Sequence, residues 1–494
     1  MVSVKEAERQ LTLFPATADN PRSDRGARRR RGVDLSTPRS PRAPKAGDKP
    51  RTTVPVVMEE VIGRLTWAFE KVAANRGAPG PDRQSIEAVR EHLPLVLRRL
   101  TPALLDGSYM PGDIRRVWIP KAGGGQRGLG IPNVVDRMVQ EATRAVLESL
   151  YEPTFHPSSH GFRPGRSCQT AIAEARAYVD EGYHIVVDID LEKFFDQVCH
   201  QRLMSRLAQR VHDKRLLVLI GRMLKAKVVM PDGVKVATEQ GVPQGGPLSP
   251  LLSNIVLSEL DEELARRELR FVRYADDCNI YVRSERAGQR VMASVGEFLS
   301  KRLRLSVNVS KSAVARPETR HFLGYRLLPR AGEEAGILLS ERSEKRLRER
   351  VRELTPRNGG RSLEEVIRRV NAYFNGWLGH FGVCTSEIAR VLQNTDAHIR
   401  RRLRAIVLKH WKRRRTIARR LIRLGVKPPT AWRRVYAGRK SLWALSHDPI
   451  VDRALRNAYF AERGLVSLRE KCEAIWAANA APKQLTLPMG PARS

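Results

Sequence analysis

FVRYADDCNIYVRS, residues 271–284, sets Asp276 and Asp277 between two apolar runs, Phe271-Val272 and Ile280-Tyr281-Val282. Aspartate is depleted in strands, and neighbouring carboxylates repel each other. The stretch reads as strand, tight turn, strand, with the acids at the tip. An acidic turn facing water would account for it taken alone, and so would a metal site.

A second acidic strand end lies upstream. VVDIDLEKFFD, residues 186–196, offers Asp188, Asp190 and Asp196 where an apolar strand runs into a turn. A carboxylate at one strand end beside a pair at a hairpin tip is a donor set for two divalent cations about 3.5–4 Å apart, an arrangement that stabilises both oxygens of an in-line phosphoryl transfer. Mg²⁺ suits such a site because it takes oxygen ligands and keeps positions open for substrate phosphates.

Charge supplies the partner class. The 494 residues hold 89 Lys plus Arg against 53 Asp plus Glu, a formal charge of +36. A chain this basic repels itself unless a polyanion neutralises it, which points to nucleic acid. The five cysteines, Cys168, Cys199, Cys278, Cys384 and Cys472, are scattered with no C-x-x-C pair, which excludes a zinc ribbon and a disulfide framework. No apolar run approaches the ~18 residues a membrane span needs, so no membrane partner is expected. The N-terminus has no apolar secretory core.

Residues 1–55, with RGARRRRG at 25–32, read as a disordered basic arm. From Val56 the periodicity predicts a helix over VVMEEVIGRLTWAFEKVAANR and another over IEAVREHLPLVLRRL. A hairpin follows from RRVWIPK to LGIPN, with glycines 123–125 at its tip. A long helix DRMVQEATRAVLESLYEP, the strand YHIVVDID, a hairpin around Asp232-Gly233 and the loop GVPQGGPLSP entering a helix come next. Two short strands near Val314 and FLGYRLL close a mixed part over 56–335. Beyond Ser340, helices at about 341–354, 362–381, 387–410 and 411–424 carry dense Arg and Lys, giving a helical basic part over 340–466 and a short tail over 467–494.

These blocks resemble, in order, the reverse transcriptases encoded in bacterial group II introns, the intron maturases. The matching stretches include NRGAPGPD (75–82), VWIPKAGGGQRGLGIPNVVDRMVQEA (117–142), SSHGFRPGRSCQTAI (158–172), VVDIDLEKFFDQVCHQRLM (186–204), EQGVPQGGPLSPLLSNIVL (239–257), YADD (274–277), LSVNVSKS (305–312) and FLGY (322–325). They continue through NAYFNGWLGHF (371–381), KHWKRRRT (409–416), LIRLGVKPPTAW (421–432) and ALRNAYFAERGL (454–465). The fold this implies is α+β: right-hand polymerase fingers and palm, then an all-helical thumb or maturase (X) domain.

The resemblance assigns roles. Asp190, Asp276 and Asp277 match the catalytic, metal-binding aspartates, with two Mg²⁺ (Mn²⁺ as a substitute) as cofactor; Asp188 becomes a structural neighbour. Phe195 matches the aromatic that closes off the sugar 2′ position, so that the product is DNA. Lys121 and Arg127 on the finger hairpin, Gln244 of PQG and Lys311 match nucleotide-binding positions. Gln126 and Gly128 depart from the usual residues around the finger arginine. Arg163 and Arg166 are expected to meet template RNA, and Arg413, Arg414 and Arg415 folded RNA. Phe374, Trp377, Trp411 and Trp432 read mostly as core of the helical part. No H-N-H endonuclease is expected after Leu465. The implied partners are group II intron RNA, an RNA template with a DNA primer, dNTPs and target DNA. The chain is expected in the bacterial cytoplasm, at the nucleoid through its ribonucleoprotein, as monomer or homodimer.

Overall fold

A computed structural model describes residues 56–120, 125–437 and 441–480. The basic arm and Lys121 lie outside the described residues. The chain divides into two compact units, one ending at Arg316 and one beginning at Pro317.

In the first unit the hairpin of β1 (Ile114–Pro120) and β2 (Gln126–Ile131) is antiparallel, with Ile119 opposite Arg127. β1 also pairs with β4 (Val228–Val229), which pairs with β5 (Lys235–Val236). The second sheet has β3 (Ile185–Ile189) at its centre. β7 (Asp277–Val282) and then β6 (Arg270–Tyr274) lie on one side, and β8 (Ala313–Ala315) on the other. One face of this sheet packs on helices. Val187, Ile189, Phe271, Cys278 and Ile280 join one continuous core with Val139 and Val146 of the helix Val134–Tyr151 and Leu252 and Ile255 of the helix Ser249–Arg266. Burial of this apolar face is the main stabilising term.

Two helices expected as single are each broken in two. The first becomes Met58–Gly63 and Leu65–Ala74, with Gly63, a weak helix former, at the break. The other becomes Ile86–Glu91 and Leu93–Leu105. Pro94 lacks the N–H that a continuous helix needs but is tolerated in a first turn, so a new helix starts there.

The second unit is not wholly helical. β9 (Tyr325–Leu328) and β10 (Gly336–Leu339) form an antiparallel hairpin. Its strands belong with the helices after it: Thr385 N–H donates to Ile337 O at 2.9 Å, and the Tyr325 ring lies 5.3 Å from that of Phe381. The division therefore falls ahead of FLGY rather than near 335–345. The basic helices appear at Glu341–Leu354, Leu363–Phe381, Ala389–His410 and Arg414–Arg423. Residues expected as tail form the helix Leu468–Ala480, whose first N–H groups are capped by buried Asp396: its carboxylate accepts from Leu468 N–H at 3.0 Å and Arg469 N–H at 3.1 Å.

Candidate active site

The register of the β3–β7 pair explains the acidic hairpin. Ile189 stands opposite Cys278 and Asp188 opposite Asn279. Side chains alternate between faces, so Val187, Ile189, Cys278 and Ile280 enter the helix-packed core. Asp188 and Asp190 share the other face with Asn279 and Asp277. One step beyond the last pair, Asp190 comes opposite Asp277. Tyr274 pairs with Asp277, leaving Ala275 and Asp276 as the whole loop. Ala275 adopts φ 57°, the left-handed value that a two-residue hairpin loop demands.

The turn is held from behind. Gly161 of the SSHGF block lies so close that a Cβ on it would stand 2.2 Å from Ala275 N. The same block runs beside β6: His160 N–H donates to Arg273 O and Arg273 N–H to Ser158 O. Arg273, fully buried, donates to Ala275 O (2.8 Å), Asn254 Oδ1 (3.0 Å), Ser159 Oγ (2.7 Å) and both oxygens of Asp261. Asn254 Nδ2 in turn donates to Gly161 O at 2.8 Å. Sequence reasoning missed this network. Its signal was an arginine at the inward parity of an apolar strand, with Asp261 on the helix Ser249–Arg266 just before it.

Asp190 is anchored through its backbone. Its N–H donates to Ser312 Oγ (3.0 Å) and its carbonyl accepts from Asn308 N–H (2.8 Å). Lys311 Nζ stands 3.5 Å from the Asp190 carboxylate. Asp277 remains open to solvent at the residue level. Even so, surrounding protein and the carboxylates of Asp276, Asp188 and Asp190 push its carboxyl up to about 7. Burial also raises Asp276; the guanidinium of Arg127 opposes the shift and the Asp190 carboxylate adds to it. Asp276 and Asp277 are thus crowded by carboxylates that disfavour their charged forms, the condition a cation relieves. Among the described residues no three His, Cys, Asp or Glu side chains are grouped so that they could hold a metal ion. The acidic side chains at these two strand ends offer only carboxylate oxygens, the donor type that suits a hard cation such as Mg²⁺.

Phe195 sits on the short helix Phe194–Gln197 just past β3, half-buried, its ring edge-on to Phe194 at 5.3 Å. Phe194 is the core residue. Exposed Asp196 shares that helix. The GVPQGG loop docks here: Val242 N–H donates to Phe195 O (2.6 Å), and Gly241, at φ 92°, leaves no room for a Cβ, which would meet Phe195 O at 2.8 Å. The loop also holds the finger strand, since Gly130 N–H donates to Gln244 O at 2.6 Å. Gln244 is half-buried, and Arg127, opposite Ile119, is exposed.

Two arginines expected to face RNA, Arg163 and Arg414, are engaged elsewhere. The Arg163 side chain is 6% exposed and spends its donors on the Glu152 carboxylate and the carbonyls of His156, Ser159 and Glu152. No donor remains for a phosphate, because its own loop uses them all to cover buried carbonyls. Arg166 is half-buried, and burial together with Arg163 lowers its pKa. Arg414 donates to Val435 O at 2.7 Å, tying its helix to the helix Pro428–Tyr436, while Arg413 and Arg415 are exposed. Phe374, Trp377 and Trp411 are buried core; Trp432 is half-buried and stacks on exposed Tyr436 at 5.8 Å.

The same residues fall within known families. Residues 119–327 match the reverse transcriptase (RNA-dependent DNA polymerase) family and residues 344–422 the group II intron maturase-specific domain. The chain is 32% identical to protein YkfC of Escherichia coli over 305 residues, covering 53% of this chain and 80% of YkfC. It is 39% identical over 178 residues to the group II intron-encoded protein LtrA of Lactococcus lactis, 36% of this chain and 29% of LtrA. It is 28% identical over 324 residues to the putative COX1/OXI3 intron 2 protein of Saccharomyces cerevisiae, 53% of this chain and 38% of that protein. The chain thus spans well under half of the latter two relatives. With a polymerase match over the strands that carry the acidic face and a maturase match over the basic helices later in the chain, the chain belongs to the group II intron reverse transcriptase and maturase family.

Proposed function

We propose that the chain is an RNA-directed DNA polymerase that binds its group II intron RNA as a maturase, promotes its splicing and copies it into DNA at a target site. The observation that carries this reading is the nearness of Asp190 and Asp277, on one face at the end of the β3–β7 pair, to Asp276 in the adjoining loop, with Phe195 and the PQGG loop just past β3. Two Mg²⁺ ions held by these carboxylates would lower the charge barrier to attack of a primer 3′-OH on the α-phosphate of a dNTP, with pyrophosphate leaving.

The chain's own groups position the reactants. Arg127 on β2, together with Lys121, grips the triphosphate, the guanidinium fork matching phosphate oxygens. Phe195 blocks the space of a ribose 2′-OH. Gln244 lines the nucleotide pocket, and Lys311, beside Asp190, sits near the nucleotide and primer end. Arg413 and Arg415 present free charge to folded RNA. Among the described residues no helix is long and apolar enough to cross a membrane; the protein acts in the cytoplasm on its ribonucleoprotein.

The test is primer extension on an RNA template with dNTPs and Mg²⁺. The parent chain extends the primer, and Asp276→Ala abolishes synthesis while RNA binding stays near the parent's. Synthesis that survives Asp276→Ala would overturn the assignment of the metal ligands, and a parent chain that binds RNA but never extends is a splicing factor only.

A further inference from the structure

The loop over residues 241–246 carries Gln244, and its backbone is tied down at three carbonyls. Gly130 N–H of the finger hairpin donates to Gln244 O at 2.6 Å. Ser249 Oγ, on the first residue of the helix Ser249–Arg266, donates to Pro243 O at 2.6 Å. His200 Nε2, on the first residue of the helix His200–Ala208, lies 2.6 Å from Gly241 O. A carbonyl only accepts, so Nε2 carries the hydrogen and donates it. The first tie is backbone to backbone. The other two come from side chains of buried residues, Ser249 at 5% and His200 at 8% exposed.

Close neighbours leave the loop little room. A Cβ on Gly241 would stand 2.8 Å from Phe195 O, one on Gly245 2.4 Å from Gly130 O, and one on Gly246 2.3 Å from Gln140 Oε1. Gly241 N–H donates to Val198 O at 2.8 Å, and Val242 N–H to Phe195 O at 2.6 Å. The loop is thus fitted between the segment that carries Phe195, the finger strand β2 and the helix Val134–Tyr151. Where it lies sets where Gln244 stands relative to Phe195, the two side chains read above as parts of the nucleotide pocket.

The His200 ring makes a single polar contact. Its Nδ1 is buried and has no hydrogen-bond partner among the described residues. An unpaired buried nitrogen is unfavourable, and an apolar side chain of similar size would avoid it. What the imidazole supplies in return is the donor to Gly241 O. Neither His200 nor Ser249 is exposed enough to meet a nucleotide, so each acts through the loop.

We propose that His200 and Ser249 are positioning residues for nucleotide binding. Their hydrogen bonds to Gly241 O and Pro243 O hold the loop so that Gln244 stands at the pocket beside Phe195. The inference rests on the polymerase reading and adds two buried residues that this reading does not use.

Steady-state primer extension by the full chain on an RNA template, with dNTP varied, tests it. His200→Leu keeps bulk and removes the donor. It should raise KM for dNTP about tenfold and leave kcat within about threefold, the pattern of lost binding rather than lost chemistry. Ser249→Ala should shift KM in the same direction with kcat kept. His200→Gln presents an amide N–H at about the reach of Nε2 and should hold KM within about threefold of the parent's. Packing alone predicts the reverse order, because leucine fills a buried site without an unpaired polar atom. Thermal melting and binding to an RNA hairpin check that each variant is folded. Should His200→Leu fail to fold, Ser249→Ala, which deletes one oxygen, decides alone. A parental KM in either folded variant, a His200→Gln no better than His200→Leu, or a fall in kcat at unchanged KM would overturn the inference and leave the polymerase reading standing. A parent chain that never extends a primer removes both.

Discussion

Arg273 and Asp261 form a two-pronged ion pair, Nε to Oδ1 at 2.7 Å and Nη2 to Oδ2 at 2.6 Å, with side chains 0% and 1% exposed. A third nitrogen, Nη1, reaches Ala275 O, one residue before Asp276. Removing one partner of a buried pair leaves an uncompensated charge, at a cost of about 3–5 kcal/mol. Arg273→Ala should therefore lower stability by that order in a denaturant titration. Arg273→Lys keeps the charge but loses the fork and the grip on Ala275. It should retain more stability than Arg273→Ala yet lose at least about tenfold in primer extension, because a small displacement of a reacting group is costly. Full activity in Arg273→Lys would show that the turn needs no such support.

Gly161→Ala addresses the same turn from its other side. The added methyl would stand 2.2 Å from Ala275 N and 2.9 Å from the Tyr274 carbonyl carbon. Backbone must move to admit it, with a penalty of about 1–3 kcal/mol. The turn that carries Asp276 is what moves, so dNTP incorporation should fall while affinity for folded RNA is kept. Steady-state extension kinetics beside an RNA-binding curve separates the two effects.

Truncating Phe195 tests sugar selection. Phe195→Ala removes a half-buried ring next to β3 and leaves Phe194 to hold the core. Ribonucleotide incorporation relative to dNTPs should rise by on the order of 10²-fold, the scale on which a pocket wall discriminates. Competition between rNTP and dNTP on one template measures it, and an unchanged ratio would place the selecting group elsewhere.

Glu174 gives an acid-side prediction. Burial alone would raise its carboxyl, but hydrogen bonds from His160, Ser158 and Tyr178 outweigh that and hold it below the ordinary 4.5. Since the folded value is depressed, the stabilisation is full above 4.5 and is lost as pH falls through the folded value. Glu174→Gln removes that titration, so its stability should decline less steeply in acid than the parent's. Parallel slopes of melting temperature against pH between about 5 and 3 would contradict the linkage.

The acidic strand ends, the finger hairpin and the run of basic helices were legible because each is a local pattern: alternation, a turn tripeptide, a 3.6-residue period. What escaped was decided by partners far along the chain. Arg273 is an inward charge that becomes tolerable through Asp261 and Ser159, and nothing within its own strand announces either. Arg163 looked like a free cation until the Glu152 carboxylate and three carbonyls took its donors. The helix Leu468–Ala480 depends on Asp396, about seventy residues earlier. Helix breaks at Gly63 and before Pro94 were visible as residue types, yet continuous apolar periodicity argued against them.

The placement of β3 has a consequence for how the protein is made. Its neighbours are β7 and β8, both encoded well downstream, so the strand has no partner when it leaves the ribosome. At about 5–20 residues per second, Val186, Val187 and Ile189 would wait on the order of ten seconds before Asp277 is even synthesised. Throughout that interval the chain has an unpaired apolar strand and no polymerase. No polymerase can act until this sheet has closed, and early chaperone contact should map to residues 185–189.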